Sequence, residues 1–294
     1  MPRGPAIVSE KGKDGTQASH GHVGDARIGI SGWRYKLWRG TFYPPGLPQK
    51  RELEFASRYF RSIEINGSFY SLQSVESWLN WYDQTPPEFI FSIKGSRYIT
   101  HMRRLKNVEK PLANFFAQGI LGLKEKLGPI LWQFPSNFRY DEERFDHFFR
   151  MLPRDTHQAL AIARHRDHRM KGQSYLRMPI EAPLRHAVEI RHESFMSRDF
   201  LRLLRRHSIA LVVADTAGKW PYMEDLTSNF VYARLHGDQE IYVSGYSASA
   251  LKMWASRVQN WRRDRDVYLY FDNDIKVRAP FDALALNKCL QAAA

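Results

Sequence analysis

Eight short apolar segments, most of them separated by helix-forming stretches, run along this chain, and each finishes on polar or charged residues. They are Ile28-Gly29-Ile30-Ser31, Ile63-Glu64-Ile65-Asn66, Phe91-Ser92-Ile93-Lys94, Leu131-Trp132-Gln133, Val188-Glu189-Ile190-Arg191, Val213-Ala214-Asp215, Arg234-Leu235-His236 and Tyr270-Phe271-Asp272. Strands that alternate with helices pair in parallel through crossover connections, and eight such units predict a closed α/β barrel of the TIM-like (β/α)8 kind. In that architecture the C-terminal strand ends carry the chemistry, so the polar clusters fall where a site is expected.

The intervening stretches at 49–60, 74–84, 108–127, 141–151, 197–207, 247–263 and 279–291 place apolar residues three and four apart, the helical period. Between Asp215 and Phe230 there is room only for a loop with a short turn. Residues 154–185 exceed a normal helix-to-strand connection and read as an insertion before strand five, helical around Gln158–Arg164 and mobile elsewhere. Residues 1–26 are polar and aperiodic, a disordered leader, which leaves 27–292 as one barrel domain. The longest apolar runs are strand-sized, so no membrane span is expected. The start, Met1-Pro2-Arg3-Gly4-Pro5, lacks the apolar stretch of a secretory signal, and the lone Cys289 excludes an internal disulfide. A cytoplasmic location is the expectation, and no oligomeric state follows from the sequence.

Strand side chains alternate between faces. Read from the polar ends, the alternation turns Glu64 and Asn66, Ser92 and Lys94, Leu131 and Gln133, Glu189 and Arg191, Val213 and Asp215, Arg234 and His236, and Tyr270 and Asp272 toward the barrel axis. Buried charges need partners. Signs on neighbouring strands nearly alternate, so Glu64, Lys94, Glu189, Arg191, Asp215, Arg234 and Asp272 are expected to converge at the mouth, with His236 at the edge. Two readings compete: a ring of ion pairs that satisfies itself, and a solvated site for a polar ligand. In the second, His236 is the first choice for a general acid or base, with Glu189, Asp215, Glu64 and Asp272 as further catalytic candidates. Lys94, Arg191 and Arg234 would clamp an anion, and Asn66, His101, Gln133, Asn273, Trp33 and Tyr70 complete the candidate ligand-binding set. No cofactor is expected. A divalent metal is the lesser alternative, because arginines share the mouth and no metal-ligand spacing occurs.

Lysine and arginine outnumber aspartate and glutamate by 44 to 31, a net charge of +13. The excess gathers at Lys94, Arg97, Arg103, Arg104, Lys106 and Lys110, and again across 150–177. Such a field attracts anionic small molecules or nucleic acid, although a solvated basic surface would look the same. The aromatics of the first loop, Trp33, Tyr35, Trp38, Phe42 and Tyr43, are expected to pack beneath it, with some left to stack on a ligand.

Gly32-Trp33 with Trp38, Gly40 and Phe42-Tyr43-Pro44, followed by Ile63-Glu64-Ile65-Asn66-Gly67-Ser68-Phe69-Tyr70, resembles the opening motifs of the YecE-like family, domain of unknown function 72. Thr100-His101, Gln133-Phe134-Pro135, Val188-Glu189-Ile190-Arg191-His192, Arg234-Leu235-His236-Gly237 and Tyr270-Phe271-Asp272-Asn273-Asp274 extend the likeness over roughly residues 27–290. Ser68 stands where that family usually has Thr. The resemblance implies a TIM-like barrel and implies no reaction. From the residues alone, the expected function is an enzyme acting on a phosphate- or carboxylate-bearing substrate by general acid/base chemistry, with phosphodiester hydrolysis as the preferred version. The alternative is a non-catalytic nucleic-acid-binding or scaffold protein.

Overall fold

The computed structural model describes residues 23–292, so most of the expected leader lies outside the described residues. Eight strands, β1 (Ala26–Ser31), β2 (Ser62–Ile65), β3 (Ile90–Lys94), β4 (Leu127–Gln133), β5 (His186–Glu189), β6 (Ala210–Asp215), β7 (Phe230–Leu235) and β8 (Asp266–Phe271), close into a barrel in sequence order. Every pair is parallel, and β8 returns to β1 with Ile30 opposite Phe271. The register sets Ser31 beside Glu64 and Gln133 beside Glu189, so the polar ends share one level of the barrel.

Alternation sorts the apolar side chains into two cores. Ile63, Ile65, Phe91, Ile93, Trp132, Val188, Val213, Leu235 and Phe271 face outward under the helices, while Leu131, Ala187, Ala210, Val212, Ala214, Tyr232, Tyr268 and Tyr270 fill the barrel. Inside, the Tyr270 hydroxyl shares short hydrogen bonds of 2.6 Å with both Ser62 Oγ and Ser92 Oγ, so a buried phenol finds its partners.

The parity expected for seven strands, β2 to β8, holds on six of them and fails on β6. Val213 lies in the outer core, whereas Ala210, Val212 and Ala214 point inward, which sends Asp215 to the other side. The segment Ala210-Leu211-Val212-Val213-Ala214 is apolar on both faces, so it carries no alternation signal. Size decides instead: small side chains face the interior that Tyr232, Tyr270 and Arg234 already crowd.

Helices α1 (Glu52–Ala56), α2 (Gly67–Tyr70), α3 (Val75–Asp83), α4 (Glu109–Ala117), α5 (Glu142–Met151), α6 (Thr156–Arg164), α7 (Arg198–Arg206), α8 (Ala248–Trp261) and α9 (Ala279–Ala292) surround the barrel. Ser74, Asp141, Asp155, Ser197 and Ser247 each accept a backbone N–H at a helix start, which ends the preceding loop. The single helix expected over 108–127 is broken. Gly119 takes φ 128°, and its bare Cα lies against the Trp78 indole, after which the chain continues as 3-10 turns over Ile120–Lys126. The β6–β7 connection has no helix, as its length required.

The insertion is tied down rather than mobile. After α6, Asp167 N–H donates to Asn114 Oδ1 (2.7 Å), Tyr175 N–H to Ala117 O (2.8 Å) and Leu184 N–H to Arg154 O (2.7 Å). Lys110 Nζ also donates to His165 O at 2.7 Å. Among the described residues no helix is long and apolar enough to cross a membrane.

Candidate functional site

β7 places Arg234 on the barrel axis, where it is fully buried. Its guanidinium is the hub of the mouth. Nε and Nη2 donate to the two oxygens of Glu64 (3.1 and 2.9 Å), Nη1 to Glu189 Oε2 (2.7 Å), and Nη2 to Asp272 Oδ2 (2.8 Å). This fork geometry is what a guanidinium offers and an ammonium cannot. Glu64 is further held by the Tyr232 hydroxyl (2.6 Å) and by Ser31 Oγ (2.5 Å). Glu189 also receives Arg191 Nε at 2.9 Å, and His236 Nδ1 lies 3.0 Å from Asp272 Oδ2. Three carboxylates (Glu64, Glu189, Asp272) thus meet three cations (Arg234, Arg191, Lys94), an electrically balanced cluster.

The electrostatics follow the geometry. Burial pushes the Glu189 carboxyl up, but the Arg234 and Arg191 guanidiniums outweigh it and hold it well below the usual carboxylate range. Asp272 is also held low: burial raises it, and Arg234 and His236 more than offset that. Arg234 is driven above its ordinary value because its three carboxylates overcome the cost of burial. Lys94 goes the other way. Burial and the nearby Arg234 charge lower its ammonium from 10.5 to about 8, despite the carboxylates that favour it.

Above this layer opens a cavity of about 720 Å³. Arg34, Lys94, Arg97 and Arg191 line it, together with Asp272, Asp274, Asn66, His101 and Gln133. Trp33, Phe69, Tyr70 and Trp81 form aromatic walls, with Trp33 packed edge-on against Trp81 at 5.4 Å between centroids. Lys94 Nζ sits over the Phe69 ring, 4.5 Å from its centroid. Arg191 Cζ sits over the Trp220 ring, 3.8 Å from its centroid, which helps hold its fork at the rim. His101 is lowered to about 4 by burial and by Arg191 and Lys94, so its imidazole is neutral at physiological pH.

The sequence-predicted residues therefore separate into three groups. Trp33, Asn66, Tyr70, Lys94, His101, Gln133, Arg191 and Asp272 form part of the cavity wall. Glu64, Glu189, Arg234 and His236 lie beneath it, all fully buried, and His236 is inside the cluster rather than at its edge. Asp215 and Asn273 belong to neither. Asp215 accepts from the Tyr246 hydroxyl at 3.0 Å, having been turned away by the parity of β6. Asn273, one residue past Asp272 and so on the opposite face, donates to Ser244 O (2.9 Å) and Asp282 Oδ2 (2.8 Å) and pins the loop before α9.

Sequence reasoning did not select Ser31, Arg34, Tyr35, Arg97, Tyr242 or Asp274 for the site. Asp274 was findable, since it shares the parity of Asp272 two residues on. Burial and the Asp272 charge raise its carboxyl well above the ordinary range. Tyr242 comes from the long β7–α8 connection, adopts φ 67° and has no periodic signal. Among the described residues no group of three or more His, Cys, Asp or Glu side chains is arranged to hold a metal ion.

Comparison with known proteins agrees with the barrel. A DUF72 family protein of Thermotoga maritima superposes with a TM-score of 0.72 at 26% identity, covering 91% of this chain and 99% of that one. A second, from Enterococcus faecalis, gives 0.68 at 17% identity over 90% and 95% of the two chains, a likeness of fold. UPF0759 protein YunF of Bacillus subtilis is 26% identical over 121 residues, which is 40% of this chain and less than half (42%) of that relative's length. The family described as "Protein of unknown function DUF72" matches residues 27–294, nearly the whole chain and all eight strand-end motifs, and the chain belongs to that family.

Proposed function

We propose that the cavity is the active site of an enzyme that acts on a phosphate- or carboxylate-bearing substrate by general acid/base chemistry. One observation carries the reading. Lys94 is almost entirely buried at the cavity wall, its ammonium makes no hydrogen bond or ion pair with another described residue, and its proton affinity is tuned to about 8. A lysine close to neutrality in a concave site suits proton transfer. Arg34, Arg97 and Arg191 would receive the anionic group, as guanidiniums do for planar or tetrahedral oxyanions. Asp274, whose carboxyl burial and the Asp272 charge raise well above the ordinary range, is suited to donate a proton, and Asp272, held ionised by Arg234, can orient a donor.

Glu64, Glu189, Arg234 and His236 become positioning residues in this account, since none of them forms the cavity wall. In the phosphodiester version, Lys94 would take a proton from the attacking water and Asp274 would protonate the leaving oxygen. The test is thermal-shift and calorimetric screening with nucleotides, sugar phosphates, dicarboxylates and short oligonucleotides. A ligand at about 100 times its Kd should add about 2.7 kcal/mol of stability. Lys94→Met and Arg191→Ala should remove the effect. The reading falls if no such ligand binds the wild type.

One observation favours a second reading, nucleic-acid binding. A groove of about 390 Å³, lined by Tyr98, Arg103, Lys110 and Arg169, borders the mouth across Tyr70. Tyr70 and Tyr98 are exposed beside it, as stacking surfaces for bases would be. Arg103→Glu with Arg169→Glu should then weaken oligonucleotide binding and flatten its salt dependence.

A further inference from the structure

The cations explain how the cavity would take an anion, but the same lining also carries acceptors. Asn66 and Asp274 both line it, and Oδ1 of each is buried without a hydrogen-bond partner. The orientation of the Asn66 amide is fixed by proton counting. Ser31 Oγ spends its only hydrogen on Glu64 Oε1 (2.5 Å), so it must accept from Asn66 Nδ2 (2.9 Å), and the Asn66 oxygen faces away from it. The Tyr35 phenol lies beside both Asp274 and Asn66, but its single proton, directed to Ser31 O at 2.5 Å, cannot also satisfy both orphan oxygens. Asp272 uses Oδ2 for Arg234 and His236, which leaves Oδ1 of this lining residue as a third acceptor.

A buried acceptor without a donor costs about 1–3 kcal/mol. Two of them just beneath the wall of a concave site, on residues that line it, mark places where a bound molecule can supply the donors. A carboxylate turns about χ2 at little cost, which brings an Asp274 oxygen from under the wall into the cavity. Trp33, Phe69 and Tyr70 line the same cavity and offer apolar faces against which the C–H face of a ring can lie.

We infer that the ligand of this cavity is a polyhydroxylated anion, a sugar carrying one phosphate or carboxylate. Its acid group meets Arg97, Arg191 and Lys94, and its hydroxyls donate to Asn66, Asp272 and Asp274. The inference rests on the anion-binding reading above and names the rest of the substrate. Lone metal binding by the same oxygens is disfavoured by the arginines and lysine that share the cavity.

Titration calorimetry on the full chain tests it with five probes: glucose 6-phosphate, glucuronate, ethyl phosphate, acetate and magnesium ion alone. Wild-type protein should bind the sugar phosphate or the sugar acid at least about tenfold more tightly than the matched simple anion, the worth of one or two hydrogen bonds. Which of the two sugars wins identifies the acid group. Asp274→Leu, which removes the acceptor whatever the carboxyl's protonation, should reduce that ratio to about threefold or less. Asp274→Ser serves if the first variant does not fold. Equal wild-type affinity for glucose 6-phosphate and ethyl phosphate overturns the inference and leaves the anion-binding reading intact. Failure of all four anions overturns both. Magnesium binding that Asp274→Leu abolishes also overturns it, since the orphan oxygens would then serve a cation.

Discussion

Replacing Arg234 by methionine tests whether the cluster under the cavity is held by one side chain. Each of its three carboxylates keeps something when the guanidinium goes. Glu189 keeps Arg191 at 2.8 Å, and Asp272 keeps His236 at 3.0 Å and partial contact with solvent. Glu64 keeps only the hydroxyls of Tyr232 and Ser31, and it is fully buried. One uncompensated buried carboxylate then dominates the loss, about 3–5 kcal/mol, a large part of the roughly 5–15 kcal/mol that holds a domain folded. Guanidinium unfolding should show this as a fall in midpoint at unchanged slope. The pH dependence gives a sharper readout. In the wild type, Glu189 and Asp272 sit below their ordinary values, so their contribution is present at neutral pH and is lost as pH falls through those depressed values. In the variant, stranded Glu64 takes up a proton in the folded state above the unfolded value of about 4.3, so stability rises as pH falls from 7 toward that value. Adding Glu64→Gln should recover much of the loss, measured as the coupling in a double-mutant cycle. A loss under about 1 kcal/mol, or a variant with the wild-type pH slope, would falsify this account of the hub.

Lys94→Met should stabilise the protein at pH 7 by up to about 3 kcal/mol, since the fall from 10.5 to about 8 costs about 1.4 kcal/mol per pH unit. The advantage should fade as pH rises from about 8 through 10.5, where the wild-type lysine releases its proton on folding; denaturant midpoints at pH 7 and pH 10 check both halves. Asp215→Ala should cost no more than about 1.5 kcal/mol in the same assay, the worth of its Tyr246 hydrogen bond, because Arg234 keeps all three partners. A loss of 3 kcal/mol would mean that Asp215 does belong to the ring. Gly95→Ala should destabilise by about 1–3 kcal/mol, because a Cβ there would overlap the buried Trp132 indole, and Trp132 fluorescence should shift with it.

The fold was legible because polar strand ends interrupt apolar segments at a spacing only a βα repeat explains. Strands β2 to β5, β7 and β8 also announced their faces, each carrying at least one polar or charged residue at the interior parity. β6 did not, since five apolar residues in a row look alike from both sides. The choice was made by volume, in the presence of Tyr232 and Tyr270 on other strands, and that information is not local. The same limit hid the break after α4, where Gly119 is needed because Trp78 arrives from a distant helix.

The site was legible in membership and illegible in depth. Parity places Glu64, Glu189, Lys94, Arg234 and Asp272 on one axis, but it cannot say which of them lie under the floor and which line the opening. Hydrogen-bond satisfaction divides them. Arg234 spends its donors on Glu64, Glu189, Asp272 and Ser31, so nothing of it remains for a ligand, and a self-satisfied ring accounts for this lower layer. It does not account for the layer above. With Lys94, Arg191 and Asp272 already counted in the balanced cluster, the lining adds Arg34 and Arg97 against Asp274 alone, and Asp274 is pushed toward its neutral form. A balanced floor beneath a wall with excess positive charge leaves a field that nothing in the cavity neutralises, and such a field draws an anion to the level of Lys94.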